Sequence, residues 1–156
     1  MATDAVVVVA TYRRPDHVRT CIEHLQKQTV AASRIVVVDA SPDELTRAVV
    51  AEFPEVEYRR NDLGAGLLAA SRAIGSHDAT EDVVAFIDDD AYAEPQWLAE
   101  LLAAYEPYDV GAVGGRASNG QAGEEREGHD RIGRLLPNGR LTGNFGADPG
   151  RIVDAD

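Results

Sequence analysis

The sequence has little cysteine, little lysine and no long apolar run. Its single cysteine, Cys21, excludes an internal disulfide bond, and its four scattered histidines give no spacing typical of a zinc site. No apolar stretch approaches the roughly 20 residues that span a bilayer. The N-terminus also lacks the basic region of a secretory signal. We therefore expect a cytoplasmic protein.

Positive charge is scarce as well. The 156 residues include 15 basic and 27 acidic side chains, which gives a net charge of −12, and Lys27 is the only lysine. Nucleic-acid binding needs clustered basic residues, so we expect no nucleic-acid partner. Abundant carboxylates and almost no lysine resemble proteins from salt-accumulating halophiles, in which dense salt screens the repulsion.

The apolar residues predict strands that alternate with helices. β-Branched runs predict strands over residues 5–10, 34–39, 56–60, 83–87 and 110–113. Helical spacing predicts helices over residues 15–25, 42–53, 65–76 and 95–105, the second opened by a capping box at residues 41–44. Such alternation predicts an α/β fold with a mostly parallel sheet and helices on both faces. From residue 116 the pattern gives way to Gly, Asn, Arg and acidic residues.

Polar residues follow the predicted strands at the edge where parallel sheets bind ligands. Asp88, Asp89 and Asp90 come directly after a buried strand, and three adjacent carboxylates repel one another unless a cation neutralises them. Hard oxygen ligands suit Mg²⁺ or Mn²⁺, which commonly also bind phosphate oxygens of a substrate. The alternative is a solvated acidic turn in an acidic protein.

Four further residues at strand ends have chemistry that suits a nucleotide. Tyr12 can stack on a flat ring, and Arg13 or Arg14 can bind phosphate oxygens. Asp39 can accept a hydrogen bond from a base or a ribose, although an Asp at this position also commonly forms a local turn.

Other interpretations explain less of the sequence. Residues 64–69, GAGLLA, match the loose dinucleotide-binding fingerprint, but the preceding strand is too polar to be the central strand that carries such a loop. A receiver domain needs a lysine at a strand end, whereas Lys27 falls on a helix. Cys21 lies on an apolar helix face and is predicted to be core. His17 and His24 are predicted to lie on a solvated face.

Taken together, these stretches resemble the GT-A glycosyltransferases of family 2. The resemblance is strong over residues 5–115 and weak beyond them. It rests on VVVVATYRRP at 6–15, QT at 28–29, IVVVDASPD at 35–43, NDLG at 61–64, AFIDDD at 85–90, PQWL at 95–98 and VGAVGG at 110–115.

The resemblance implies a Rossmann-like GT-A fold that binds a nucleotide-diphospho-sugar, UDP- or GDP-linked, through Mg²⁺ or Mn²⁺. Asp90 would be the metal ligand, with Asp88 or Asp89 alongside it, and the triplet would also contact the ribose side. The nucleotide pocket would be lined by Ala10, Thr11, Tyr12 and Arg14, with Asp39 at the base edge. Residues 1–115 would form this core, and residues 116–156 would begin an incomplete acceptor subdomain.

The activity that the resemblance implies is sugar transfer with inversion to a glycan, lipid-linked or polysaccharide acceptor, with peripheral association at the inner membrane face. An inverting transfer needs a general base. Glu124, Glu125 and Asp130 fit a solvated loop better, so we expect the base beyond the C-terminus. Ala70 and Ser71 also replace the family's usual Arg-Asn pair, with Arg72 one residue later. The alternative function is a non-catalytic or truncated nucleotide-binding fragment.

Overall fold

The computed structural model describes residues 3–105 and 111–115, and strands alternate with helices through the first of these ranges. The strands are β1 (Ala5–Thr11), β2 (Arg34–Asp39), β3 (Val56–Arg60) and β4 (Val83–Asp88). The helices are α1 (Pro15–Leu25), α2 (Leu45–Val50), α3 (Leu68–Ser76) and α4 (Trp97–Ala103).

The four strands form one parallel sheet in the order β3-β2-β1-β4. In its register Val8 of β1 lies opposite Val36 of β2 and Phe86 of β4. At the carboxyl edge, Thr11 lies opposite Asp39, and Ala10 lies opposite Asp88. The predicted parallel sheet is confirmed, and its register brings the polar strand ends together.

The valines of β1 pack against helices on both faces of the sheet. Val7 and Val9 belong to a core cluster with Ile22 of α1 and Leu98 of α4. Val6 and Val8 form the opposite cluster, against which Ile74 of α3 packs. A strand that is covered on both faces has apolar residues at every position, and this explains the four consecutive valines.

Three predicted helix starts are wrong, and each helix begins later. Helix α2 begins at Leu45, because the Ser41 hydroxyl bonds to the Asp39 carboxylate instead of capping a helix. Helix α3 begins at Leu68, since Gly64 and Gly66 have φ angles of 88° and 80°, which no α-helix contains. Helix α4 begins at Trp97, two residues after Pro95.

The chain divides into two compact units, residues 1–109 and 110–156, and only residues 111–115 of the second are described. Those five residues form a bend and irregular backbone, so the predicted fifth strand is not found in them. Three glycines among these residues disfavour a strand. Glu124, Glu125 and Asp130 lie outside the described residues, and the predicted division near residue 115 stays a prediction. Among the described helices, none has the length and apolarity to cross a membrane.

Candidate functional site

The carboxyl ends of β1 and β4 border an open cleft of about 400 Å³. The strand order changes direction at β1, and open α/β sheets bind their ligands at such a switch point. Three stretches of the chain line the cleft: the end of β1 and its turn, the acidic triplet, and the loop into α3. The lining residues are Ala10, Thr11, Tyr12, Arg14, Ala40, Gly64, Gly66, Leu67, Leu68, Ser71, Asp88, Asp89 and Asp90.

Asp89 is the buried member of the acidic triplet, with 5% of its surface exposed. The Thr11 hydroxyl donates a hydrogen bond of 2.7 Å to Asp89 Oδ2. Arg14 Nη1 donates to Asp89 Oδ1 at 3.2 Å. Both oxygens of this carboxylate are thus engaged by β1 and the turn after it, which fixes the triplet against the strand.

Asp88 and Asp90, by contrast, are more than half exposed. Arg72 Nη2 donates to Asp88 Oδ1 at 3.2 Å, and Arg14 Nη1 donates to Asp90 Oδ2 at 2.7 Å. Exposed ion pairs contribute only about 0–1 kcal/mol to stability. These two carboxylates can therefore exchange an arginine for another cation at little energetic cost.

The carboxylates suit a cation whose coordination a substrate completes. No group of three or more His, Cys, Asp or Glu side chains within residues 3–105 and 111–115 is placed to hold a metal ion alone. Mg²⁺ is usually held by one or two carboxylates together with water and substrate phosphates. Asp88 and Asp90 supply that number of oxygen donors, so the residues fit the predicted Mg²⁺ or Mn²⁺.

Arg14, and not Arg13, reaches the acidic triplet. Arg13 adopts a left-handed backbone with a φ of 56°, and its N–H donates to the Ser41 hydroxyl oxygen at 2.7 Å. Its guanidinium lies over the Tyr12 ring, 5.4 Å from the centroid. The pKa of Arg14 is raised, mainly by the attraction of Asp89, so this side chain stays charged.

Asp39 is fully buried and does not line the cleft. Its Oδ1 accepts hydrogen bonds from the N–H and the hydroxyl of Ser41, and its Oδ2 accepts one of 3.0 Å from Tyr58. The pKa of Tyr58 is raised, first by burial and then by the negative charge of Asp39, so the phenol remains a donor. Asp39 here fixes the turn after β2, and because it is fully buried an interaction with a base requires the residues that cover it to move.

The loop into α3 is a wall of the cleft that the sequence did not reveal. Asn61 Nδ2 donates a hydrogen bond of 2.8 Å to the Ser71 hydroxyl oxygen, and Asn61 Oδ1 accepts one of 2.9 Å from the Leu63 N–H. This ties both ends of the loop together and directs Leu67 and Leu68 to the cleft. The loop follows β3, an edge strand of the described sheet, which supports the rejection of a dinucleotide fingerprint.

Helix α3, which follows this loop, carries its arginine at position 72, one residue after the two positions where the family usually has an Arg-Asn pair. Ser71 is buried beside Asn61. Arg72 pairs with Asp88 and lies over the Phe86 ring, 5.6 Å from its centroid. The positive charge therefore reaches the triplet from the β4 side.

Cys21 is fully buried, as predicted. Burial, followed by the charge of Asp89, raises the pKa of its thiol to about 12. His17 is exposed, in agreement with the predicted solvated face, whereas His24 is half-buried. Both rings lie beside Tyr92.

Comparison with known proteins identifies the family. The family described as Glycosyl transferase family 2 matches residues 6–153. A glucosyl-dolichyl phosphate glucuronosyltransferase of Haloferax volcanii is 38% identical over 115 residues, which is 70% of this chain and 36% of that protein.

Solved structures share the fold at lower identity. S. aureus TarS 1-349 in complex with UDP-GlcNAc superposes with a TM-score of 0.59 and 23% identity, over 65% of this chain and 31% of that one. Mannosyltransferase PcManGT of Pyrobaculum calidifontis, in complex with GDP-Man and Mn²⁺, gives a TM-score of 0.54 and 19% identity, over 67% and 32%. The chain thus spans about a third of the length of these proteins, and it belongs to glycosyl transferase family 2.

Proposed function

We propose that the cleft binds a UDP- or GDP-sugar through Mg²⁺ or Mn²⁺ held by Asp90 and Asp88. The observation that carries this proposal is the pair of exposed carboxylates at the switch point, beside a charged arginine in the same cleft. A cation there would neutralise the negative charge that develops on the leaving diphosphate.

The remaining lining residues have distinct roles in this proposal. Asp89 holds the triplet to β1 through Thr11, and Tyr12, which is 38% exposed, offers its ring to the base. Arg14 offers its guanidinium to the phosphates. Ala10 borders the cleft with a small side chain that leaves room for the nucleotide.

We further propose that the chain is the donor-binding part of an inverting glycosyltransferase. Among the described residues, the carboxylates that line the cleft are those of the triplet, and each already accepts a hydrogen bond. A general base for the acceptor hydroxyl is therefore expected outside this set. The Haloferax relative, by its name, acts on a glucosyl-dolichyl phosphate, which supports a lipid-linked or other glycan acceptor. We propose that this transfer takes place at the inner membrane face.

Calorimetric titration with UDP and with GDP, in Mn²⁺ and then in EDTA, tests the donor site. We expect metal-dependent binding that Asp90→Ala abolishes. Asp62→Ala is the matched control, because it removes the same charge from a carboxylate that is 89% exposed and does not line the cleft. Unchanged metal-dependent binding in Asp90→Ala would refute the assigned metal ligand. No binding by the unsubstituted protein would favour a fragment without a competent pocket.

A further inference from the structure

One face of α1 and the loop that follows it carry four residues that contact the same part of the chain. His17, Cys21 and His24 are spaced by four and three residues, so they lie along one side of the helix, and Gln28 in the following turn continues this line. We call His17, Cys21, His24 and Gln28 the α1 stripe. Their common neighbour is residues 89–96, which we call the acidic segment because it begins with Asp89 and Asp90.

The acidic segment has no regular structure of its own. It connects β4 to α4, and its eight residues, all described, form turns and irregular backbone. It lacks the repeated backbone hydrogen bonds of a helix or strand and has only local turn bonds of its own, such as that of 3.0 Å from the Ala91 N–H to the Asp88 carbonyl oxygen. Its position therefore depends largely on its neighbours. Thr11 and Arg14 hold its first residue, Asp89, so the residues that follow Asp90 depend on other neighbours.

The two histidines of the stripe hold Tyr92. His17 Nδ1 lies 2.8 Å from the Tyr92 hydroxyl. The Tyr92 ring lies beside both imidazoles, with centroid distances of 6.5 Å to His17, to which it is joined edge to edge by this contact, and 5.4 Å to His24. Tyr92 is only two residues after Asp90, so this clamp acts close to the exposed end of the triplet.

The rest of the stripe binds the backbone of the segment. His24 Nδ1 lies 3.1 Å from the Ala93 carbonyl oxygen, which only accepts, so this nitrogen carries the proton. Gln28 Nε2 donates to the Glu94 carbonyl oxygen at 2.7 Å, and Gln28 Oε1 accepts from the Leu98 N–H at 3.0 Å. The Thr29 N–H donates to the Pro95 carbonyl oxygen at 2.7 Å.

The chemistry of these contacts separates the stripe from ordinary core packing. Apolar packing would need no hydrogen-bonding side chains. The side chains of His24 and Gln28, in contrast, make hydrogen bonds to the backbone of Ala93, Glu94 and Leu98. The buried Cys21 lies under the start of the segment, with its sulfur 3.9 Å from the Asp88 carbonyl oxygen. The stripe therefore follows the backbone from the end of β4 to the first turn of α4.

We propose that the α1 stripe is a splint that holds the acidic segment so that Asp88 and Asp90 keep the spacing that binds the metal and diphosphate. His17, His24, Gln28 and Tyr92 are thereby positioning residues of the donor site. This inference rests on the proposed function. Loss of the contacts made by the α1 stripe lowers the increase in nucleotide affinity that the metal provides. The contacts made by Thr11 and by the loop into α3 are retained.

The test compares His24→Ala and Gln28→Ala with Glu23→Ala. Glu23 is the matched control, because it neighbours His24 on α1 and its side chain makes no hydrogen bond within the described residues. The first measurement is the ratio of UDP affinity in Mn²⁺ to that in EDTA. We expect this ratio to fall by about 10-fold in the two stripe variants, as for loss of an outer-shell partner of a metal ligand. His24→Asn should restore most of it, since the Asn amide can donate to Ala93.

The second measurement is amide hydrogen exchange of residues 89–98, which needs no nucleotide. Faster exchange there in the stripe variants, with an unchanged rate in β1 and β2, would support a local splint. An unchanged affinity ratio, or an equal loss in Glu23→Ala, would overturn the proposal. A normal ratio combined with faster exchange would also overturn it, because segment order would then not matter for the metal. Absence of any metal effect in the unsubstituted protein would instead refute the proposed function, and the splint would lose its role with it.

Discussion

Arg14 bridges two neighbouring carboxylates with one nitrogen, since Nη1 lies 3.2 Å from Asp89 Oδ1 and 2.7 Å from Asp90 Oδ2. The first of these carboxylates is buried and the second is more than half exposed. Arg14 thus occupies an oxygen of the residue to which we assign the metal. In the proposed donor complex, the cation and the arginine compete for Asp90, and the released guanidinium is available to a phosphate.

Arg14→Gln should therefore change two affinities in opposite directions. Mn²⁺ alone should bind about 3- to 10-fold more tightly, because one positive charge near the carboxylates is worth roughly 1 kcal/mol at high dielectric. UDP in the presence of Mn²⁺ should bind about 10-fold more weakly, since a charged hydrogen bond to phosphate is lost. Electron paramagnetic resonance of free Mn²⁺ and calorimetry measure the two quantities. Arg13→Gln, which removes the adjacent charge, should leave Mn²⁺ binding nearly unchanged, and weakening of both affinities in Arg14→Gln would contradict this model.

Asp89→Ala should destabilise the fold, whereas Asp90→Ala should not. Without Asp89 the buried Thr11 hydroxyl loses its acceptor, and an unsatisfied buried group costs about 1–3 kcal/mol. Among the residues that the structure describes, Asp90 takes part only in an exposed ion pair, so its removal should change the free energy of unfolding by less than about 1 kcal/mol. Urea denaturation of both variants gives the comparison. Asp89→Asn keeps an oxygen that accepts from Thr11, so its loss of stability should lie between those of the two alanine variants. Equal losses for Asp89→Ala and Asp90→Ala would show that burial does not separate the roles of the two residues.

The parallel sheet could be predicted from the sequence because hydrophobic burial decides it. The valine run of β1 requires cover on both faces, and a parallel sheet between two layers of amphipathic helices supplies it. The helix starts could not be predicted equally well, because single backbone and side-chain geometries decide them. Gly66 with its positive φ delays α3, and Ser41 uses its hydroxyl for Asp39 and not for a cap.

The location of the site was also predictable, but the direction of each side chain was not. The rule that ligands bind beyond strand ends brings Thr11 and the triplet together. Asp89 and Asp90 are chemically identical, and which of them turns inward depends on Thr11, 78 residues earlier in the chain. Asp39 shows the same limit, since Tyr58 on β3 engages it from a neighbouring strand.

Gly75→Ala should lower stability although alanine favours helices. A Cβ at Gly75 would clash with Val8 Cγ1, so either the Val8 side chain or α3 must shift. The expected loss is about 1–3 kcal/mol, typical of an overpacked core, against a gain near 1 kcal/mol from helix propensity alone. Urea denaturation checks the sign. Val8→Ala should cost less in the Gly75→Ala background than in the unsubstituted protein, and additive effects would show that the two residues are not in contact.

Cys21 should be unreactive in the folded protein. Burial raises the pKa of its thiol from an ordinary value of 9.0 to about 12, and only the thiolate is nucleophilic. At pH 8 we expect iodoacetamide to modify the folded chain at least about 100-fold more slowly than the chain in guanidinium chloride, given the thiolate fraction. The folded rate should still increase with pH where the unfolded rate has levelled off. Comparable rates would place the thiol at the surface, in conflict with its position under Asp88.

The acidic composition predicts a salt-dependent stability. A net charge of −12 repels itself in the compact state, and the screening length falls from about 10 Å at 0.1 M salt to about 3 Å at 1 M. We expect the Tm to rise by roughly 3–6 °C between these KCl concentrations, which corresponds to a gain of about 1–2 kcal/mol. The same titration near pH 4.6, where the net charge approaches zero, should show a much smaller rise. An equal rise in Tm at pH 4.6 would show that salt acts by strengthening apolar burial and not by screening charge. A fall in Tm at neutral pH would show that the surface ion pairs of Arg34 and Arg59 outweigh the general repulsion.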